Sequence, residues 1–105
     1  MALAWLWSWW GRRAAPQLPH WVVRMYTRQG CHLCEQAWAF LQTKQRAHGF
    51  SLEAIDIGAD PGLTRQFGEN IPVVEINGKV RFRGAVNPVL FARLVQAGGA
   101  VRRQK

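Results

Sequence analysis

Hydrophobic positions change their spacing several times along this chain, and each change marks an element. The stretch WVVRMYT (residues 21–27) is short, β-branched and aromatic, the composition of a buried strand. After Gly30 the spacing lengthens: Leu33, Ala37, Phe40, Leu41 and Ala47 approximate one helical face, and Gly49 is suited to end that helix. FSLEAIDI (residues 50–57) reads as a second strand, so one helix joins two strands that should pair in parallel through a right-handed crossover. Asp60 followed by Pro61 signals a helix start, a side-chain cap next to a proline placed where no donor is missed, and that helix should end near Gly68.

In IPVVEINGKVRFRG (residues 71–84), Val73, Val74 and Ile76 lead into Asn77-Gly78, the preferred two-residue hairpin turn. Val80 and Phe82 alternate with Lys79, Arg81 and Arg83, which predicts one wet face on the last strand. Asn87-Pro88 repeats the capping device and opens a final helix through Leu90, Phe91, Leu94 and Val95, expected to stop at Gly98-Gly99. The order is βαβαββα, without internal repeats. Pro16 and Pro19 punctuate the sequence before the first strand. The expected division is therefore a Trp-rich extension outside the fold (1–20), one α/β domain (21–98) and a basic tail (99–105).

Charge and composition sharpen this division. The chain has 105 residues, 49% of them hydrophobic, enough for one core. Its formal net charge of +8 suggests nucleic acid until it is located: Arg12, Arg13, Arg102, Arg103 and Lys105 sit at the two ends. Residues 20–100 hold nine basic and six acidic groups, so the body has a surplus of only three and no specific nucleic-acid face is expected. The opening MALAWLWSWWGRR packs Trp5, Trp7, Trp9 and Trp10 into a run too short to span a bilayer. Its arginines follow the apolar run, the reverse of a secretory signal, so it is read as uncleaved. Such a segment either lies outside the fold without a role or makes peripheral membrane contact through residues 3–13.

The two cysteines, Cys31 and Cys34, stand at the junction of the first strand and the first helix. A bridge between them closes too small a loop to add much stability. At the first helical turn, orphan N–H groups and the helix dipole favour a thiolate on Cys31, while Cys34, one turn further in and on the same face, should be more buried. Thiol–disulfide exchange needs this asymmetry: one sulfur attacks a substrate disulfide and the second resolves the mixed intermediate. Metal or iron–sulfur binding is the competing reading, because His32 adds a third donor. A closed zinc site lacks a fourth ligand, and adjacent helical positions diverge by about 100°.

The segment MYTRQGCHLC resembles the active-site segment of glutaredoxins, and NIPVVEINGKVRFRG is similar to their proline-plus-hairpin segment. The resemblance runs from Val22 to Gln96 and is nearest to the small bacterial glutaredoxin-like proteins of the thioredoxin superfamily. It implies a four-stranded mixed sheet flanked by helices, with Cys31 as nucleophile, Cys34 as resolving cysteine, Pro72 as a cis-proline facing the disulfide, and the backbone beside Ile71 pairing with substrate. It further implies that Arg28, where the family usually has lysine, helps hold glutathione's carboxylate, with Gly84 the one match in the loop that receives the γ-glutamyl end.

Departures from the family carry their own expectations. His32 and Leu33 replace the usual proline and aromatic between the cysteines, and His32 is a candidate cationic neighbour for the thiolate. The sequence RGAVNP (residues 83–88) lacks the usual second glycine and acidic pair, with Asn87 an amide in place of an acid. No tightly bound cofactor is expected. Glutathione is a co-substrate candidate that should reduce the protein slowly, and a thioredoxin-type reductase or another dithiol protein is the expected reductant. The substrate class is a disulfide-containing protein or a glutathione mixed disulfide, in the cytoplasm or at its membrane. A non-catalytic adaptor on the same fold is the third reading. Trp38 and Phe40 are expected to pack, and His20 and His48 to lie on the surface.

Overall fold

The computed structural model describes residues 15–103 in backbone and through residue 98 in side chains. Its elements are β1 (Val22–Thr27), α1 (His32–His48), β2 (Ser51–Asp56), α2 (Pro61–Phe67), β3 (Val73–Ile76), β4 (Lys79–Arg83) and α3 (Pro88–Arg103). The sheet order is β2-β1-β3-β4; β1 and β2 are parallel, and β1/β3 and β3/β4 antiparallel. This is the α/β, four-stranded mixed sheet flanked by helices that the resemblance implied.

Local signals set the helix ends. Gly49 ends α1 in the left-handed conformation (φ 76°), and its N–H donates to Gln45 O. Asp60 caps α2 by accepting from Leu63 N at 3.1 Å, with Pro61 at the first helical position. Asn87 Oδ1 caps α3 by accepting from Val89 N and Leu90 N at 2.9 and 3.1 Å. Asn77 and Gly78 both have positive φ (53° and 83°), the conformation their hairpin turn requires.

The two faces of the sheet bury different clusters. Val23, Met25, Val74, Ile76 and Phe82 pack with Cys34, Ala37 and Leu41 of α1 and Phe91 and Val95 of α3. On the other face Tyr26, Val73 and Phe67 form a smaller cluster with Ile57, and the Tyr26 and Phe67 rings lie 4.5 Å apart. Burial pushes the Tyr26 phenol upward, Glu75 adds to the shift, and Arg24 opposes it.

Several expectations are corrected. β4 has no single wet face: Glu75 pairs with Val80 and Val74 with Phe82, so Arg81 is an extra, bulged residue. Val80 therefore packs on the small cluster and Phe82 on the large one. The helical face of α1 is set by Cys34, Ala37, Leu41 and His48, and Leu33 is left 52% exposed. His48 is buried, not superficial, and its Nδ1–H donates to Pro16 O at 2.7 Å.

The supposed boundary near residue 20 also moves. Leu18 has no exposed surface, joins the main core and donates its N–H to His48 O at 2.8 Å. Residues 16–18 thus strap the end of α1, while residues 1–14, which carry the tryptophan run, lie outside the described part. At the other end α3 continues through Gly98-Gly99 to Arg103. Gly98 permits a close approach: a Cβ there would meet Trp21 Cζ2 at 2.7 Å.

Candidate active site

The β1–α1 connection places both cysteines. Gly30 takes φ 80°, a conformation open to glycine at little steric cost, and turns the chain so that Cys31 N donates to Arg28 O at 3.3 Å. Cys31 is the N-cap of α1, in extended conformation, and its sulfur accepts from Cys34 N at 3.1 Å. The two residues are joined as a disulfide, with Cα atoms 5.2 Å apart. Cys34 is 2% exposed, whereas Cys31 is only partly covered. Thus the two sulfurs differ in access, and the accessible one sits where backbone N–H groups and the helix dipole favour negative charge.

A groove of about 340 Å³ opens beside the pair, lined by Arg28, Cys31, Cys34, Glu35 and Trp38 among others. Arg28 is exposed, its stem within van der Waals reach of a Cβ built at Gly58, and its guanidinium has no ion-pair partner among the described residues. Glu35 and Trp38 were not anticipated at the site. The helical spacing from Cys31 and Cys34 is the signal that could have found them, since positions three or four apart share a face. Trp38 also packs partly against the core, as expected from its sequence.

The remaining singled-out residues occupy other flanks. The Ile71–Pro72 bond is cis, Pro72 is buried, and Ile71 and Cys31 both pack against the main core cluster. Gly84 (φ 83°) donates its N–H to Asn70 O and Pro72 O at 2.8 and 2.9 Å, so the loop after β4 is tied to the segment around the proline. His32 is turned outward on α1, its ring 3.2 Å from Gln36 Nε2 and 3.7 Å from Glu35 Oε1. The structure therefore brings Arg28, Cys31 and Cys34 to one groove, joins Gly84 to Pro72, and leaves His32 outside the groove. Among the described residues, no group of three or more His, Cys, Asp or Glu is arranged to hold a metal ion.

The loop in which the family's acidic pair is missing has a distinct surface. Asn87 spends its side-chain oxygen on the α3 cap. Ala85 and Val86 meet Leu33, Ala37 and Phe40 around a shallow depression of about 120 Å³. The groove beside the disulfide thus holds one cation, Arg28, and one carboxylate, Glu35, next to Trp38, whereas Leu33, between the cysteines, belongs to a largely apolar depression.

Comparison with known proteins agrees with this architecture. Residues 22–96 match the family model described as glutaredoxin-like domain (DUF836). The uncharacterized proteins Rv0508 of Mycobacterium tuberculosis and Mb0520 of Mycobacterium bovis are each 32% identical over 62 residues. That match covers 54% of this chain and 64% of those relatives, just under two thirds of their length. Among solved structures, protein Ne2328 from Nitrosomonas europaea superposes with a TM-score of 0.63 at 29% identity, covering 70% of this chain and 89% of its own. Protein XcR50 from X. campestris gives 0.60 at 24% identity, over 72% and 97%. Oxidised thioredoxin from Plasmodium falciparum gives 0.54 at 13% identity, over 75% and 81%, a likeness of fold alone.

Proposed function

The chain belongs to the glutaredoxin-like domain family (DUF836), and from that premise we propose that it is a thiol–disulfide oxidoreductase in which Cys31 attacks and Cys34 resolves. The observation that carries the proposal is the asymmetry of the pair: a partly exposed Cys31 capping α1 and accepting a backbone N–H, with Cys34 buried one turn behind. In the reduced protein the Cys31 thiolate attacks one sulfur of a substrate disulfide, forming a mixed disulfide and releasing the other sulfur as a thiolate that takes up a proton. Cys34 then loses its proton and attacks Cys31 Sγ, which expels the second substrate thiol. Two electrons pass to the substrate, and the Cys31–Cys34 disulfide remains.

Arg28, at the mouth of the groove, is the group we assign to a carboxylate of the incoming substrate, and the backbone beside Ile71 and Pro72 to pairing with an extended peptide. The substrate is a protein disulfide or a glutathione mixed disulfide, and the setting is a reducing cytoplasm. Among the described residues no helix is long and apolar enough to cross a membrane.

The reductant follows from the loop after β4. A hydrogen bond to a charged group is worth roughly 1.5–3 kcal/mol, so losing the acidic pair that receives glutathione's amino end should weaken its binding by about tenfold or more. Asn87, engaged as a helix cap, is a poor replacement, and Ala85 and Val86 present apolar surface. A dithiol protein of the thioredoxin type is the favoured reductant.

The test pairs two measurements. Cys34→Ser should accumulate a mixed disulfide on Cys31, seen by mass spectrometry, while Cys31→Ser should form none. Oxidised protein should be reduced faster by a thioredoxin system than by millimolar glutathione. Fast, saturable reduction by glutathione would overturn the choice of reductant. Unimpaired function in cells with both cysteines replaced would favour the adaptor reading.

A further inference from the structure

The end of the sheet remote from the disulfide holds a second groove, of about 320 Å³. Trp21 and Leu94 form its apolar part, Gly98 lies against the indole, and His20, Lys79 and Arg81 supply polar and cationic groups. Among the described residues, no carboxylate lines it. His20, Lys79 and Arg81 are all exposed. Arg81, the residue left unpaired by the bulge in β4, is one of the groove's lining residues.

Several elements meet at this end. β1 begins there, and Asn77 at the hairpin tip pairs with Val22 through Val22 N to Asn77 Oδ1 at 2.8 Å and Asn77 N to Val22 O at 2.9 Å. α1 finishes there against residues 16–18, and α3 passes Trp21 at Gly98 before running to Arg103. Both ends of the chain therefore join the fold at this one pole. The sequence they carry is Trp5, Trp7, Trp9, Trp10, Arg12 and Arg13 on one side, and Arg102, Arg103 and Lys105 on the other. The six residues of β1 separate this pole from the Cys31 turn by roughly 20 Å at about 3.3 Å per residue.

We propose that this pole is a docking surface for an anionic lipid bilayer. Cationic groups without interposed carboxylates attract lipid phosphates, and tryptophan favours the headgroup layer, where its ring has an apolar and a wet side. The abundance of tryptophan in the segment joined at this pole is what favours a bilayer over a nucleic acid, for which cations alone would serve. Docked in this way, the protein turns the Cys31–Cys34 end away from the lipid and into the aqueous phase. The inference is independent of which cysteine attacks and of the reductant.

The experiment is flotation of the full chain with vesicles of phosphatidylcholine alone or with phosphatidylserine at one lipid in three. The same assay is run on Lys79→Glu/Arg81→Glu, with a thermal melt of each protein and the rate of reduction of its disulfide. The parent should bind the phosphatidylserine vesicles and lose them at high salt, because exposed charges are screened. The double variant should bind at least about tenfold more weakly, each cation being worth several-fold near an anionic surface, with melt and reduction rate unchanged. Equal binding to the two vesicle types, or undiminished binding by the double variant, would overturn the proposal. So would duplex RNA or DNA displacing the protein from vesicles at equal phosphate concentration, which would make a nucleic acid the occupant.

Discussion

At the end where the chain leaves β1, the surface is built around the cysteine pair: Gly30 and Gly84 turn the chain at positive φ, and a sulfur serves as helix cap. At the end where it enters β1, Gly49, Asn77 and Gly78 also turn the chain at positive φ, but the groove there is floored by a large buried side chain that joins the helices to the sheet. Trp21 is 5% exposed, its ring 6.1 Å from Phe50 and 6.2 Å edge-on to Phe91, with α3 passing close enough to require a glycine. Both ends have a groove, but the first holds a partly exposed Cys31, and the second anchors both helices of the large cluster. The difference teaches that the exposed sulfur of Cys31 and the aromatic anchor of the core lie at opposite ends, although Cys34 belongs to the core itself. Substitutions at the anchor should therefore change stability without changing Cys31 chemistry.

The largest effect that would expose this separation is at Trp21. Trp21→Ala should lower stability by about 3–5 kcal/mol, the usual range for removing a buried aromatic. Denaturant titration measures it, and the Cys31 alkylation rate of the molecules still folded should match the parent. A changed alkylation rate would join the two ends. Asn87→Ala sharpens the comparison from the site side, since loss of a helix cap costs about 1 kcal/mol. Its Cys31 chemistry should also stay unchanged, because the Asn87 side chain holds α3 and not the sulfur.

The smallest effect lies on the opposite face of the sheet. The Tyr26 phenol is raised by burial and by Glu75, so the folded state holds its proton to higher pH than the unfolded chain does. Its contribution to stability is complete below the unfolded value near 10 and is lost as pH rises through the higher folded value. Tyr26→Phe should accordingly flatten the alkaline decline of the melting temperature. An unchanged decline would assign it to other groups.

The parts of this architecture legible in the sequence are those fixed within a few residues. Asp60-Pro61, Asn87-Pro88, Asn77-Gly78 and Gly49 each act on backbone groups next to them, and all four fall where the sequence put them. The strand-to-helix position of the cysteines is local in the same sense. What escaped depends on partners distant in sequence. His48 is buried by a carbonyl 32 residues earlier, at Pro16. Gly98 reads as a helix stop until Trp21 is placed beside it. The Arg81 bulge follows from how β4 must pair with β3 to bury both Val80 and Phe82, which alternation along one strand cannot reveal. At the site, Arg28, Trp38 and the cysteines line one groove, and His32 lies beside Gln36 and Glu35, arrangements that depend on how β1 and α1 meet and not on the spacing of the motif alone.

The central claim is that Cys31 is the activated sulfur of a redox pair. The most direct test is the alkylation rate of each cysteine in the reduced protein as a function of pH, resolved by mass spectrometry in the parent and in Cys34→Ser. The account predicts a Cys31 midpoint below the reference thiol value of about 8.5, with Cys34 reacting more slowly throughout. Faster alkylation of Cys34 at neutral pH, or a Cys31 midpoint at or above that reference, would contradict it.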